Sequence, residues 1–164
     1  MRVKKLSLIT TIFFIIDISI FNFYNIDFSY KTLNFIPNFA FIIYLINSDT
    51  IKLSDQILIV LVLGLFQDIF AFNFTLVNML FNLLLLFLYK FWSRNISGTI
   101  VESTILLVII IFIKDILIYL FFDFIDLTNL TLTNFILNNS LITFSINIIF
   151  IPIILLISKN YLYK

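Results

Sequence analysis

Four ionisable side chains stand inside otherwise apolar stretches of this chain: Asp17, Asp68, Lys114 and Asp115. Carboxylates and an amine in such a setting can relay protons, pass an ion or lock helices together, and each one costs roughly 2.5–3.5 kcal/mol to bring into a membrane. Little other chemistry is available. The sequence has no His and no Cys, so an imidazole base, a thiolate nucleophile, a zinc site and a disulfide are all excluded from these residues. Its two glycines, Gly64 and Gly98, are too few and too far apart for a phosphate-cradling loop. A net charge of +1 carries no footprint for nucleic acid. No metal and no cofactor is expected.

The carboxylates are regularly placed. Asp17 lies eleven residues past Leu6, Asp68 twelve past Gln56 and Asp115 eleven past Thr104. At ~1.5 Å per helical residue each sits about 16–18 Å into its apolar run. The residues after each are similar too: Asp17-Ile18-Ser19-Ile20-Phe21, Asp68-Ile69-Phe70-Ala71-Phe72 and Asp115-Ile116-Leu117-Ile118-Tyr119, at spacings of 51 and 47 residues. This pattern predicts one layer of polar groups and three helical hairpins in parallel repeat.

The elements that must carry this layer can be read from composition. Of 164 residues, 62% are apolar and 12% charged, against about 25% charged in a soluble domain. So much apolar surface must face something other than water. Long apolar runs predict an all-α polytopic membrane protein with six transmembrane helices, at about 6–23, 33–46, 56–72, 76–92, 104–122 and 135–158. They make one integral membrane domain over 1–164. Continuous runs such as 57–66 lack the in-out alternation of a barrel strand. No small-residue cleavage site follows the first run, so it reads as an uncleaved helix.

Six spans starting in the cytoplasm place Arg2, Lys4, Lys5, Lys52, Lys90, Arg94, Lys159 and Lys164 inside, and only Lys31 outside. The positive-inside rule therefore predicts a multi-pass protein with both termini cytoplasmic. Lys114 remains within a helix as the counter-ion of the polar layer. Its neighbour Asp115 points ~100° away on a helix, which leaves Asp68 or Asp17 on a facing helix as its expected partner. A packing lock is preferred to an ion path, because mid-span Gly or Pro is missing apart from Pro37 and Pro152. Asn78, Asn82 and Asn147 are candidates for interhelical hydrogen bonds. Asp123 and Asp126 read as a solvated face, and Tyr89, Trp92, Tyr119 and Tyr161 as interfacial anchors.

One stretch carries a resemblance. Pro37-Asn38-Phe39 opens the second run, the third contains Gly64-Leu65-Phe66-Gln67-Asp68, and a tight turn leads to an apolar helix with Asn78 near its start. This resembles the rod shape-determining protein MreD family, which has a Pro at the start of span two and a Gly-Leu-x-x-Asp signature in span three. The family tends to have a glycine in the following turn and another opening the next helix; here those places hold Phe72 and Leu76.

The resemblance implies a non-enzymatic scaffold of cell-wall elongation in the bacterial cytoplasmic (inner) membrane. It would bind MreC, and through it RodA and a class B penicillin-binding protein, in coordination with MreB, with membrane lipids around it. Pro37, Gly64, Leu65, Asp68 and Asn78 are then the partner-binding or helix-packing residues: Gly64 and Asp68 either meet the partner or hold the protein's own third and fifth helices together. The family's helix arrangement is also similar to that of substrate-binding subunits of energy-coupling-factor vitamin transporters, which supplies the alternative function.

Overall fold

Apolar runs without alternation leave the backbone only its own carbonyls to bond, and the chain is helical accordingly. The computed structural model describes residues 2–25, 37–71, 76–126, 128 and 130–162. In order these form α1 (Arg2–Asn25), α2 (Phe39–Asn47) with a 3-10 turn (Ser48–Thr50), α3 (Leu53–Ala71), α4 (Val77–Ser93) and α5 (Ile100–Phe124). A short α6 (Leu132–Phe135), a π-helical turn (Ile136–Ser140) and α7 (Leu141–Leu162) complete the order. No strand occurs among the described residues. The start of the expected second span, Lys31, Phe72 and the turn after it lie outside the described residues, as do the side chains of Arg2, Lys4, Lys5, Lys159 and Tyr161.

Helix boundaries obey local chemistry. Thr99 caps α5 by accepting from the Glu102 N–H, and the Glu102 carboxylate accepts in return from the Ser97 N–H and hydroxyl. This is a close variant of the Ser/Thr-x-x-Glu capping box. Gly98, at φ 75, turns the chain into it. The 3-10 turn is stapled to α3 by Gln56, whose amide donates to the Ser48 and Ile51 carbonyls, while the Tyr44 hydroxyl donates to the Gln56 carbonyl at 2.6 Å.

α1 packs on α2, α3 on α4, α4 on α5 and α5 on α7, and α2 also touches α3, α4 and α7. The shortest of the apolar helices is therefore the centre of the bundle: residues 39–45 are each no more than 2% exposed. The outer faces carry Leu8, Leu58, Leu80, Val101 and Ile149, all largely exposed. Apolar surface that extensive suits hydrocarbon and not water.

The six-span expectation is met in part. Among the described residues three stretches are long and apolar enough to cross a membrane: Leu53–Phe70, Ile100–Phe124 and Leu132–Ser158. The apolar parts of the other helices, Leu6–Ile20, Phe39–Thr50 and Val77–Ser93, are shorter. α2, with nine residues, extends only about 14 Å, under half of a ~30 Å hydrocarbon core. Its neighbours enclose it, so its length answers to the protein interior and not to bilayer thickness.

Tyr119 also departs from its expected role. It is buried, stacks on Phe135 at 4.8 Å and donates to the Leu130 carbonyl at 2.9 Å. It closes the end of the α5–α7 pair instead of anchoring at an interface. Asp123 and Asp126 are exposed, as expected.

Candidate functional site

A helix start leaves four backbone N–H groups without intrahelical partners. Two of the helices in this bundle start against a buried carboxylate. Asp17 on α1 receives the N–H of Phe39 on one oxygen and that of Ala40 on the other, both at 2.9 Å. Asp68 on α3 receives the Asn78 N–H at 2.9 Å and the Met79 N–H at 3.1 Å, and the Asn78 side-chain amide at 3.0 Å. Each carboxylate thus closes the N-terminus of the next helix in the chain, where the helix dipole also attracts negative charge. Asp17 is 1% and Asp68 0% exposed.

The backbone in front of both helices adopts the left-handed region, with Asn38 at φ 63 and Leu76 at φ 58. Asn reaches this conformation readily, and a leucine there is strained by about 1–2 kcal/mol. Pro37, buried beside Asn38, has no N–H of its own to satisfy.

Gly64 lies one helical turn before Asp68. A Cβ at this position would collide with the Met79 Cα and stand 2.7 Å from its nitrogen. The missing side chain is what lets α4 come close enough for Asp68 to reach its N–H groups. The contact made by Gly64 and Asp68 is therefore with the fourth helix, correcting the expected contact with the fifth. Leu65, between them, is half-buried.

Lys114 on α5 does not pair with Asp17 or Asp68. Its ammonium donates to the amide oxygens of Asn38 at 2.6 Å and Gln67 at 3.0 Å, and lies 5.2 Å from the centre of the Phe41 ring. Gln67 donates to Asn38 at 3.3 Å and accepts from the Asn82 amide at 2.9 Å. Both carboxylates are occupied by backbone N–H groups, and the cation rests on amide oxygens instead. Among the described residues the one ion pair is at the surface, Lys90 with Asp49 at 3.7 Å. The amides Asn78 and Asn82 each leave their side-chain oxygen without a partner among the described residues.

Asp115 has a different environment. It is less deeply buried than the other two and meets the hydroxyl of Thr143, near the start of α7. That hydroxyl donates to the Asn139 carbonyl at 3.1 Å. Nearby Asn147 donates within its own helix, to the Thr143 carbonyl at 2.9 Å, and is not an interhelical bond.

The polar layer thus joins six helices, α1 to α5 and α7. Asp17, Asp68 and Lys114 meet α2 and its neighbours, and Asp115 connects α5 to α7. Asn38 and Gln67 are the participants that spacing missed. Each is next to a residue singled out, Pro37 and Asp68, and for Gln67 a polar side chain adjoining an intramembrane carboxylate was the available signal. No group of three metal-ligating side chains occurs among the described residues. Comparison with protein-family models, with curated proteins and with solved structures finds no match for this chain.

Proposed function

We propose that this chain is a non-enzymatic scaffold of the bacterial cytoplasmic membrane, with six spans and cytoplasmic termini, that binds MreC and helps to maintain rod cell shape. One observation carries the reading. Gly64 and Asp68 of the Gly-Leu-x-x-Asp motif act together on the start of α4, and that start holds Leu76 at φ 58, where the family pattern places a glycine. Glycine is the residue suited to a left-handed backbone. The position that departs from the family in its side chain therefore keeps the backbone conformation that a glycine would serve.

Two further features support the reading. Eight basic residues against one mark a cytoplasmic side under a six-span count. Asp17 and Asp68 hold backbone N–H groups and Lys114 holds amide oxygens, which suits a rigid binding body better than acid–base work. Depletion in a rod-shaped host should turn rods into spheres and release MreC from the elongation complex. Unchanged shape with lost vitamin uptake would overturn the proposal in favour of a transporter subunit. Single cysteines placed in a chain that has none would test the span count by their labelling from each side.

A further inference from the structure

A groove of about 480 Å³ runs between α1 and α3. Its walls on α1 extend from Ser7 to Ile18 and on α3 from Leu58 to Phe70, about 16–18 Å along each helix. That is close to half of a ~30 Å hydrocarbon core, the depth of one leaflet. The walls are apolar, with Phe14, Phe66 and Phe70 clustered at ring separations of 5.8–6.5 Å. The hydroxyls of Thr10 and Thr11 are taken up by carbonyls of their own helix, at 2.9 and 2.8 Å, so they make no demand on an occupant.

Charge marks one end. Arg2, Lys4 and Lys5 belong to the opening turns of α1, just before the groove wall begins at Ser7, and Lys52 immediately precedes α3. An apolar slot one leaflet deep that begins beside basic residues matches a molecule with a hydrocarbon tail and an anionic head.

We propose that the α1/α3 groove binds one acyl chain of an anionic phospholipid, from the leaflet on the basic side, with the phosphate beside the start of α1 and Lys52. The site requires that the chain lie in a bilayer. It does not require MreC or any role in cell shape, so the two proposals fail separately.

The test uses the purified full chain in phosphatidylethanolamine vesicles containing phosphatidylglycerol or phosphatidylcholine with a photoreactive acyl chain. The phosphatidylglycerol probe should label residues 7–18 and 58–70 several-fold more than the outward residues Ile149 and Leu156 of α7. Val62→Trp, which fills the groove, should remove that excess. The combined variant Lys4→Gln, Lys5→Gln, Lys52→Gln should lower phosphatidylglycerol labelling by about fivefold per charge until it equals that of phosphatidylcholine. Even labelling of all outer faces, or equal labelling by the two lipids in the unaltered chain, would overturn the proposal. So would cross-linking of Val62→Cys to a second protein in native membranes, which would assign the groove to a partner.

Discussion

The first two hairpins of this bundle and the last one use the same residue type for different purposes. In α1–α2 and in α3–α4, an aspartate on the first helix receives the N–H groups that start the second, behind a left-handed residue. In α5–α7 the aspartate meets a hydroxyl about three turns past the helix start, and that start is capped locally by Thr131, which accepts from the Asn134 N–H. The difference lies in where each second helix begins. Phe39 and Val77 are buried, whereas Thr131 and Leu132 are exposed. A helix that starts inside a protein has no water to satisfy its first N–H groups and must be met by an acceptor from elsewhere. A helix that starts at the surface caps itself, and the third carboxylate is released from that duty.

Removing the carboxylates one at a time tests this distinction most severely. Asp17→Ala and Asp68→Ala each leave two backbone N–H groups without their acceptor and should cost about 3 kcal/mol, read by denaturant unfolding in detergent micelles. Asn at either position should recover only part of this, since one of its side-chain ends is a donor. Equal losses for Asp17, Asp68 and Asp115 would remove the distinction between the hairpins.

Gly64→Ala should be next, at about 2 kcal/mol, because its methyl meets the Met79 backbone and not a side chain that could turn away. Cross-linking between α3 and α4 should fall with it. Lys114→Met should cost about 1–2 kcal/mol: it strips the ammonium from Asn38 and Gln67 but also relieves the burial of a charge that lacks a directly bonded carboxylate. Full loss of folding in this variant would mean that the cation holds the two capped hairpins together more strongly than its amide contacts suggest.

Leu76→Gly should act in the opposite direction and stabilise by about 1 kcal/mol, whereas Asn38→Gly should change little, as Asn already tolerates its conformation. Asp115→Asn should have the smallest effect, under about 1 kcal/mol, since an amide can still meet the Thr143 hydroxyl.

Much of the polar layer is legible in the sequence. Asp17, Asp68, Lys114 and Asp115 are conspicuous because charge in an apolar run is costly, and the helical class is set by the same runs. The expected helix limits lie within a few residues of those observed for α3, α4 and α5. Partners are harder to read. Coulomb attraction points Lys114 to Asp17 or Asp68, but a pairing argument counts side chains and overlooks backbone donors, and here backbone donors reach the carboxylates first. Gly64 is recognisable as a place of close approach, although nothing local to it says which helix approaches.

Residue type and spacing alone make this chain helical, give it an exterior suited to lipid, and fix where its buried charges lie along each helix. Hydrophobicity and a ~1.5 Å rise per residue are sufficient for that much. Packing in three dimensions was needed to make the short α2 the core, to turn two aspartates into caps, and to rest the lysine on amides. Those outcomes depend on where helices start in space, because a backbone N–H needs an acceptor from the protein only when packing has taken its water away.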